Sequence, residues 1–322
     1  MSNETLEPSW KDSIYRQREE LARMLREPLA QLAYKCIPVW GDRDQLNAVL
    51  LDGFSSIPYC TYLYVVDSKR VQISDNVGKA GLMTQYYHRN RADRPYMQEA
   101  MPAWGFLLSD AYVSLSAGRP SLTALQVVQS DAHPLPLGYL GADFDLRNLP
   151  VTSTLYQEPG SWRQVKGDPA IRSTLFQQTR SESPLDRDMQ KALSILEELI
   201  TERGIFQCQI HFSSSQATIW TTDDPLRYRI LDHEVLKDPN ICLLYPSRDY
   251  PDDAVIPRTD IARVLDAMRA LRMVDTTIYL RTGSINIFNG MVSVTFSCDG
   301  SHYMRYDEFL SKGADFWTGV PA

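Results

Sequence analysis

The feature that most constrains the fold is a set of three segments in which apolar and polar residues alternate, at 112–117, 121–129 and 137–144. A period of two is typical of β-strands with one buried face. Only short turns separate the segments, at 118–120 and 131–134. Strands joined by short turns pair antiparallel, because a parallel pair needs a long crossover connection. The sequence therefore predicts an antiparallel meander.

Two further strands and two helices precede the meander. Residues 62–66 and 71–74 alternate around a turn at 67–70. Upstream, apolar residues recur at spacings of three, four and seven over 10–36, which predicts one long helix, and a second helix is predicted at 43–54. We therefore expect an α+β fold, in which a five-stranded antiparallel sheet packs its apolar face on the long N-terminal helix.

The connection between these two groups of strands, residues 76–110, is long for a loop. Connections of this length usually hold short helices or a function. It contains the stretch RADRPYMQEAMPAWG at 91–105, in which arginines and aromatic residues surround two prolines. Two interpretations are open. Either the polar face of the sheet is exposed to solvent, or the connection folds over that face and encloses a pocket.

Strand alternation determines which side chains such a pocket would contain. The candidate ligand-binding residues come from the connection and from the polar face of the meander: Arg94, Tyr96, Tyr112, Ser114, Thr123 and Asp143. An arginine offers a planar fork for a carboxylate. An aspartate on a central strand needs a partner such as an ammonium group. The enclosed arrangement would therefore bind a small molecule that contains a carboxylate or an amine.

The order of these segments resembles a Cache sensor domain of the PDC type, which has an extended PAS-like fold. The resemblance covers residues 20–155 and rests on LYVVD, a turn and VQISDN, then RPYMQEA, LSDAYVSL, GRPSLTALQVV and LGYLGADFDLRNLP. It implies that Arg94 and Tyr96 bind a ligand carboxylate, and that Tyr112 and Asp143 bind an amine. The sequence departs from the family pattern at Met97, where amino-acid-binding members have a second aromatic residue.

The second half of the chain has its own helices and strands. We place the sensor domain at 1–160, a linker at 161–185 and a second α+β domain at 186–322. The predicted elements are helices at 186–203 and 258–272 and strands at 206–212, 216–221, 241–245, 276–281, 284–289, 291–298 and 302–306. Their order suits a second PAS-like domain or another small α+β module.

The second half contains no known catalytic motif. No nucleotide-binding, hydrolase or metalloprotease motif occurs there, so we expect that the protein is not an enzyme. One enzymatic alternative places a site around Asp223, Asp224, Arg227 and His233. It requires that these residues form one concave cluster with perturbed titrating groups. It ranks last, because they match no recognised catalytic arrangement.

Composition narrows the classes of partner. The net charge is −7, and lysines and arginines are scattered, so we expect no nucleic-acid partner. No apolar run reaches the length of about 18 residues that a membrane helix needs, and the first residues are polar. We therefore expect no membrane contact and a cytoplasmic location. The five cysteines are widely spaced, which favours buried free thiols without a metal site or another cofactor.

These observations predict a cytoplasmic small-molecule sensor that acts in signal transduction and has no catalytic output domain. Ligand binding would shift the sheet against the N-terminal helix. The apolar seam of that helix is compatible with a homodimer, and core packing explains the same residues equally well. The alternative is a non-enzymatic interaction or scaffold protein with a vestigial pocket.

Overall fold

The structure of the protein is a computed structural model, and it describes residues 9–102, 105–115, 117–130, 132, 135–154, 156, 179–298, 300–313 and 316–317. The chain forms two compact units, Met1–Tyr156 and Gln157–Ala322. Most of the predicted linker, residues 161–178, lies outside the described residues, so the predicted domain boundaries stay predictions. In the part of the chain that the structure describes, no helix is long and apolar enough to cross a lipid bilayer.

The first unit begins with the predicted long helix, α1 (Trp10–Cys36). Ser9 and Asp12 close its first turn as a capping box, in which each side chain accepts the backbone N–H of the other residue. The apolar seam of α1 is buried, and its members are Ile14, Leu21, Leu25, Leu29, Leu32 and Ala33. The opposite face carries exposed charged residues such as Glu19, Arg23 and Glu27. The seam therefore belongs to the core of its own unit, and a homodimer through α1 would use the charged face.

Two shorter helices follow in the first unit. Helix α2 (Arg43–Gly53) begins after Asp42, whose side chain accepts the N–H of Gln45 at 3.1 Å. The long connection contains α3 (Pro95–Gln98), which starts with a proline at its first position. The connection thus holds a short helix, as its length predicts.

The sheet of the first unit has seven strands in place of the predicted five. They are β1 (Tyr62–Asp67), β2 (Asn76–Gly78), β3 (Gly81–Met83), β4 (Phe106–Leu108), β5 (Tyr112–Val113), β6 (Pro120–Val128) and β7 (Gly138–Asp145). The order is β3-β2-β1-β7-β6-β4, with β5 also paired to β6, and all these pairs are antiparallel. The last strand, β7, lies beside the first strand, β1. The additional strands are short segments of the long connection.

The predicted strand at 71–74 is an irregular segment that a side chain holds against β1. The N–H of Ile73 donates to the carbonyl of Val65 at 2.9 Å, as in a regular ladder. The N–H of Val65, however, donates to the hydroxyl of Ser74 at 2.8 Å. A side-chain acceptor therefore replaces a backbone carbonyl here, and the regular pairing resumes only at β2.

The second unit is also α+β, with a different strand order. Its elements are α4 (Pro184–Arg187), α5 (Met189–Glu202), β8 (Ile205–His211), β9 (Gln216–Thr221), β10 (Asp224–Asp232), α6 (His233–Leu236), α7 (Ile261–Met273), β11 (Leu280–Asn286), β12 (Met291–Phe296), β13 (Ser301–Arg305) and α8 (Tyr306–Ser311). The antiparallel sheet has the order β10-β9-β8-β11-β12-β13. The strand after α7 pairs directly with β8, and the last strand lies at an edge. The second unit is thus an α+β domain, as expected, and its strand order differs from that of the first sheet.

Several predicted elements of the second unit differ from the structure. Pro239–Leu244 forms a 3-10 helix where a strand is predicted at 241–245. A short, continuously apolar run does not distinguish a strand from a buried helical segment. Strand β10 has no predicted counterpart, although apolar and polar residues alternate over 226–230. The predicted strands at 276–281 and 284–289 form a single strand, β11.

The core of the second unit contains a buried ion pair. Arg272 is fully buried, and its Nε and Nη2 donate to the two oxygens of Asp186, each at 2.8 Å. Its Nη1 donates to the carbonyl of Leu280 and to the hydroxyl of Ser213, each at 3.1 Å. Burial acts to raise the pKa of Asp186, but the bonds from Arg272 outweigh it and lower that pKa. The pair connects α4 with α7 and β11.

Candidate functional site

Asp143 lies at the centre of the first sheet, on the strand between β1 and β6. It stands opposite Thr123 on β6 and opposite Tyr62 on β1. Tyr64 stands opposite Gly141, where an added Cβ would lie 2.4 Å from the Tyr64 ring. Because Gly141 has no side chain, the Tyr64 ring crosses β7 and its hydroxyl reaches Asp143.

A chain of hydroxyl groups holds one oxygen of Asp143. Tyr64 donates its O–H to Oδ1 of Asp143 at 2.9 Å, and the hydroxyl of Thr123 donates to the same oxygen at 2.7 Å. Thr123 has only one hydroxyl hydrogen, so Tyr112 is the donor in the 2.7 Å bond between these two hydroxyls. Among the described residues none donates to Oδ2, and Asp143 keeps part of its surface accessible. The carboxylate therefore has one fixed and one open oxygen.

Burial is the dominant effect on the pKa of Asp143. Burial raises the pKa of Asp143, although the positive charge of Arg91 acts against it. The Asp143 carboxyl group is therefore deeply placed, although the residue is only partly buried. Burial also raises the pKa of Tyr64, Tyr96 and Tyr112. These phenols stay protonated at neutral pH and keep their hydrogens for donation.

The arginine- and aromatic-rich segment that contains α3 packs on the face of the first sheet that carries Asp143. Tyr96 and Met97 of α3 are buried in one cluster with Tyr64 and Leu125 of the sheet. The ring of Tyr96 lies 5.7 Å from that of Tyr112. Of the two interpretations of the connection, the structure therefore supports a cover that packs on the sheet.

Arg91 is a site residue that the sequence pattern does not single out. It is buried, and its Nε and Nη2 donate to Oε1 of Gln72 at 2.8 and 2.6 Å. Nη2 also donates to Asn76 at 3.1 Å, and Nη1 donates to the hydroxyl of Tyr96 at 2.9 Å. The guanidinium lies 3.7 Å above the ring of Tyr64. Most N–H donors of Arg91 are therefore bound. Arg91 positions Tyr64 and Tyr96 and has no free pair of donors for a ligand carboxylate.

Arg94 has a different environment from Arg91. It is the residue before α3, and it is half-buried. Burial raises the pKa of Asp143, and the charge of Arg94 is among the effects that oppose this rise. Within the described part of the chain, no hydrogen bond or ion pair engages the Arg94 guanidinium. Arg91 and Arg94 are only three residues apart in the sequence. The sequence around them does not reveal which of the two is buried.

Ser114 lies outside the group of site residues. Strand β5 ends at Val113, and Ser114 begins a tight turn in which its N–H donates to the carbonyl of Arg119 at 2.8 Å. Its hydroxyl accepts the N–H of Ala117 at 3.4 Å. The structure brings the other predicted site residues to one face of the first sheet: Arg94, Tyr96, Tyr112, Thr123 and Asp143.

The enzymatic alternative in the second unit does not form one cluster. Asp223 and Asp224 lie at the start of β10, and His233 follows its end, so an extended strand of roughly 25 Å separates them. Asp223 pairs with Arg248 at 3.2 Å, and His233 Nε2 lies 2.8 Å from Asp188. These are separate, partly exposed ion pairs.

The cysteines form no visible metal centre. Within the residues that the structure describes, no group of three or more His, Cys, Asp or Glu side chains could hold a metal ion. Cys208 is buried, and burial raises the pKa of its thiol to about 12. Its neighbour His211 lies 3.3 Å from the hydroxyl of Thr218. Cys298, in contrast to the prediction of buried thiols, is exposed.

No protein-family model matches the chain, and no curated protein matches it. Among solved structures, an extracellular ligand binding receptor from Desulfohalobium retbaense is 13% identical with a TM-score of 0.35, over 42% of this chain and 25% of that chain. The ligand-binding domain of the Campylobacter jejuni chemoreceptor Tlp3, in complex with 4-methylisoleucine, is 15% identical with a TM-score of 0.35, over 45% and 59%. That of the Pseudomonas aeruginosa amino acid chemoreceptor PctB, in complex with L-Arg, is 17% identical with a TM-score of 0.30, over 42% and 52%.

Two of these structural neighbours are ligand-binding domains of chemoreceptors, and the third is an extracellular ligand binding receptor. The chain spans 25% to 59% of their lengths. At TM-scores this low, their ligands and activities do not transfer to this protein. The site itself therefore has to support any function.

Proposed function

We propose that the first unit binds a small organic molecule that carries an ammonium group, and that the protein is a non-enzymatic sensor of this molecule. The open Oδ2 of Asp143 is the observation that carries the proposal. An ammonium group at this oxygen would form a charge-assisted hydrogen bond. It would also neutralise a carboxylate that burial penalises. A ligand without a positive charge leaves that penalty in place.

The surroundings of Asp143 favour a cation. Tyr64, Tyr96 and Tyr112 lie around the carboxylate, and aromatic faces attract ammonium groups. Arg91, the nearest buried cation of the cover, is bound to neutral partners. Where the ligand also contains a carboxylate, as an amino acid does, Arg94 is the cation with free donors.

Ligand binding would stabilise the packing of α3 on the sheet, because Tyr96 of α3 and Asp143 of β7 belong to the same site. The ligand changes the population of this closed arrangement only through its different affinities for the closed and open states. The cytoplasmic location, the role in signal transduction and the homodimer through α1 stay predictions of the sequence.

The test is a thermal-shift screen of the full chain against amines, amino acids and small carboxylates. A ligand at 100 times its dissociation constant stabilises the folded state by about 2.7 kcal/mol. We expect hits among amines and amino acids, and we expect Asp143→Asn to abolish them. Asp145→Asn is the matched control, because Asp145 lies on the same strand and face but is bound to Arg147.

Two results would overturn the proposal. A hit that survives in Asp143→Asn would place the ligand elsewhere. A screen without any hit would favour the alternative, an interaction or scaffold protein with a vestigial pocket.

A further inference from the structure

The edge of the second sheet at β13 carries unpaired backbone groups. Strand β13 pairs with β12 on one side, and no other described strand pairs with it. The N–H of Tyr306 donates to the carbonyl of Gly290 at 2.9 Å, so the alternation of an antiparallel ladder directs the backbone groups of Met304 and His302 toward β12. The N–H and carbonyl of Tyr303 therefore point away from the sheet. Its side chain is 71% exposed.

A groove of about 600 Å³ runs along this edge. Tyr303 and Met304 both line it although they belong to opposite faces of β13, which places the groove at the free edge of the strand. Its other wall includes Phe316 and Trp317. Trp317 stacks on Phe296 at 5.3 Å, and its buried Nε1 has no hydrogen-bond partner among the described residues. The groove thus combines strand-pairing groups with an aromatic wall.

Among the described residues that line the groove, Lys312 and Glu308 neutralise each other. Lys312 and Glu308 pair at 3.4 Å, and the ammonium of Lys312 also lies 3.9 Å above the ring of Phe316. What remains for a partner is an aromatic surface with little net charge. Such a surface favours an uncharged, apolar side chain.

We propose that this edge binds an extended, uncharged segment of a partner protein by strand addition to β13. The backbone of the segment would pair with Tyr303, and one apolar side chain would enter the groove beside Phe316 and Trp317. Self-pairing of β13 from a second copy is a weaker alternative. The second copy of β13, with the sequence SHYMR, carries the charged Arg305 and is therefore not an uncharged segment.

The opposite edge of the same sheet is protected against pairing. Strand β10 contains Pro225, which has no N–H, and its register shifts between Asp224 and Tyr228. Prolines and bulges are common devices that prevent edge strands from pairing with other chains. Strand β13 contains no proline and no register shift, so its outward backbone groups are able to pair.

The test is a selection from a display library of random linear peptides on the immobilised full chain, with a counterselection on the Tyr303→Pro variant. We expect the enriched peptides to be uncharged and rich in β-forming residues. In titrations with a synthetic peptide, Tyr303→Pro and Phe316→Ala should weaken binding by about tenfold, the loss expected for one hydrogen bond or one apolar contact. Leu226→Ala, which removes a 93% exposed side chain from β10, is the control and should change nothing.

A second measurement does not depend on the folding of the proline variant. N-methylation of alternate amides of the peptide should abolish binding to the unaltered chain, because it removes the pairing donors. The proposal is wrong if no peptide is enriched, if N-methylated peptides bind equally well, or if peptides bind Tyr303→Pro undiminished. Concentration-dependent self-association that Tyr303→Pro removes would assign the edge to a second copy instead.

Discussion

Arg91 in the first unit and Arg272 in the second unit are both buried, and the two arginines have different partners. In the second unit, Arg272 donates to both oxygens of Asp186. In the first unit, Arg91 donates only to the neutral groups of Gln72, Asn76 and Tyr96. The carboxylate near it, Asp143, is held by hydroxyl groups and keeps one oxygen open.

This difference distinguishes a charged group that stabilises the fold from a charged group that is available to a ligand. A buried ion pair with all donors and acceptors bound fixes the elements that it connects. A buried cation and a buried carboxylate that lie in one cluster without contact leave the carboxylate incompletely neutralised. The second arrangement leaves a place for an external cation, and the first does not.

The largest change in the free energy of unfolding is expected at the ion pair of the second unit, between Arg272 and Asp186. Asp186→Ala leaves Arg272 buried without a counter-charge, so the free energy of unfolding should fall by about 3–5 kcal/mol. Urea unfolding followed by circular dichroism measures this change. Arg263→Ala, which removes an exposed pair with Asp260, should cost no more than about 1 kcal/mol. Equal losses in the two variants would contradict the structural role of Arg272.

A smaller loss is expected for the buried arginine of the first unit. Arg91→Met removes the donors for Gln72, Asn76 and Tyr96 and the positive charge that acts on Asp143, but it breaks no direct ion pair, so we expect a loss of about 2–3 kcal/mol in the same assay. Arg94→Met removes no hydrogen bond and should leave stability within about 0.5 kcal/mol. Equal stability of the two variants would show that Arg91 does not stabilise the packing of α3 on the sheet.

The next largest loss of stability is expected where β1 and β7 approach closely, at Tyr64 and Gly141. In Gly141→Ala the added Cβ must displace the Tyr64 ring, which should cost about 1–2 kcal/mol and should weaken ligand binding as the Tyr64–Asp143 bond is lost. Gly300→Ala, where an added Cβ meets no atom within 4 Å, is the control. Binding that persists unchanged in Gly141→Ala would show that Tyr64 does not orient Asp143.

The smallest change in stability is expected at Asp143 itself, and it depends on pH. The pKa of Asp143 lies above its ordinary value of 3.8 in the folded chain, so the folded state binds the proton more tightly than the unfolded state. Its contribution to stability is therefore fully present below pH 3.8 and is lost as the pH rises through the raised pKa. Asp143→Asn should remove this dependence and should leave stability at neutral pH unchanged or slightly higher.

Ligand binding should show the opposite pH dependence. An ammonium ligand requires the ionised carboxylate, so its affinity should increase as the pH rises through the pKa of Asp143. Calorimetric titrations at several pH values, combined with unfolding curves of the parent and Asp143→Asn, measure both trends. Affinity that falls with rising pH over this range would contradict an ammonium group at Asp143.

The sequence predicts those elements of the fold whose pattern is regular. Helix α1 and the strands β1, β6 and β7 follow their hydrophobic periods closely, and the period of two places Asp143 and Thr123 on one face. The pattern fails where side chains replace the backbone ladder, as at Ser74, and where an apolar run has no period, as at Pro239–Leu244. Strand β10 is missing from the prediction although residues 226–230 alternate, and most of this strand is exposed at the edge of the sheet.

The site is predictable only in part for a related reason. Strand alternation brings Tyr112, Thr123 and Asp143 together, because register follows from the pattern. The burial of Arg91 depends on Gln72 and Asn76, which belong to a segment without regular structure. No local rule distinguishes Arg91 from Arg94, since only contacts distant in sequence separate a bound arginine from a free one.

The bond from Val65 to Ser74 has a consequence for amide hydrogen exchange. In most of β1 an amide exchanges when neighbouring strands separate, but the Val65 amide is released when the segment around Ser74 detaches. The same segment supplies Gln72, which binds Arg91 beneath the cover. The exchange rate of this one amide therefore reports how often the support of the ligand site opens, on a timescale that static contacts do not record.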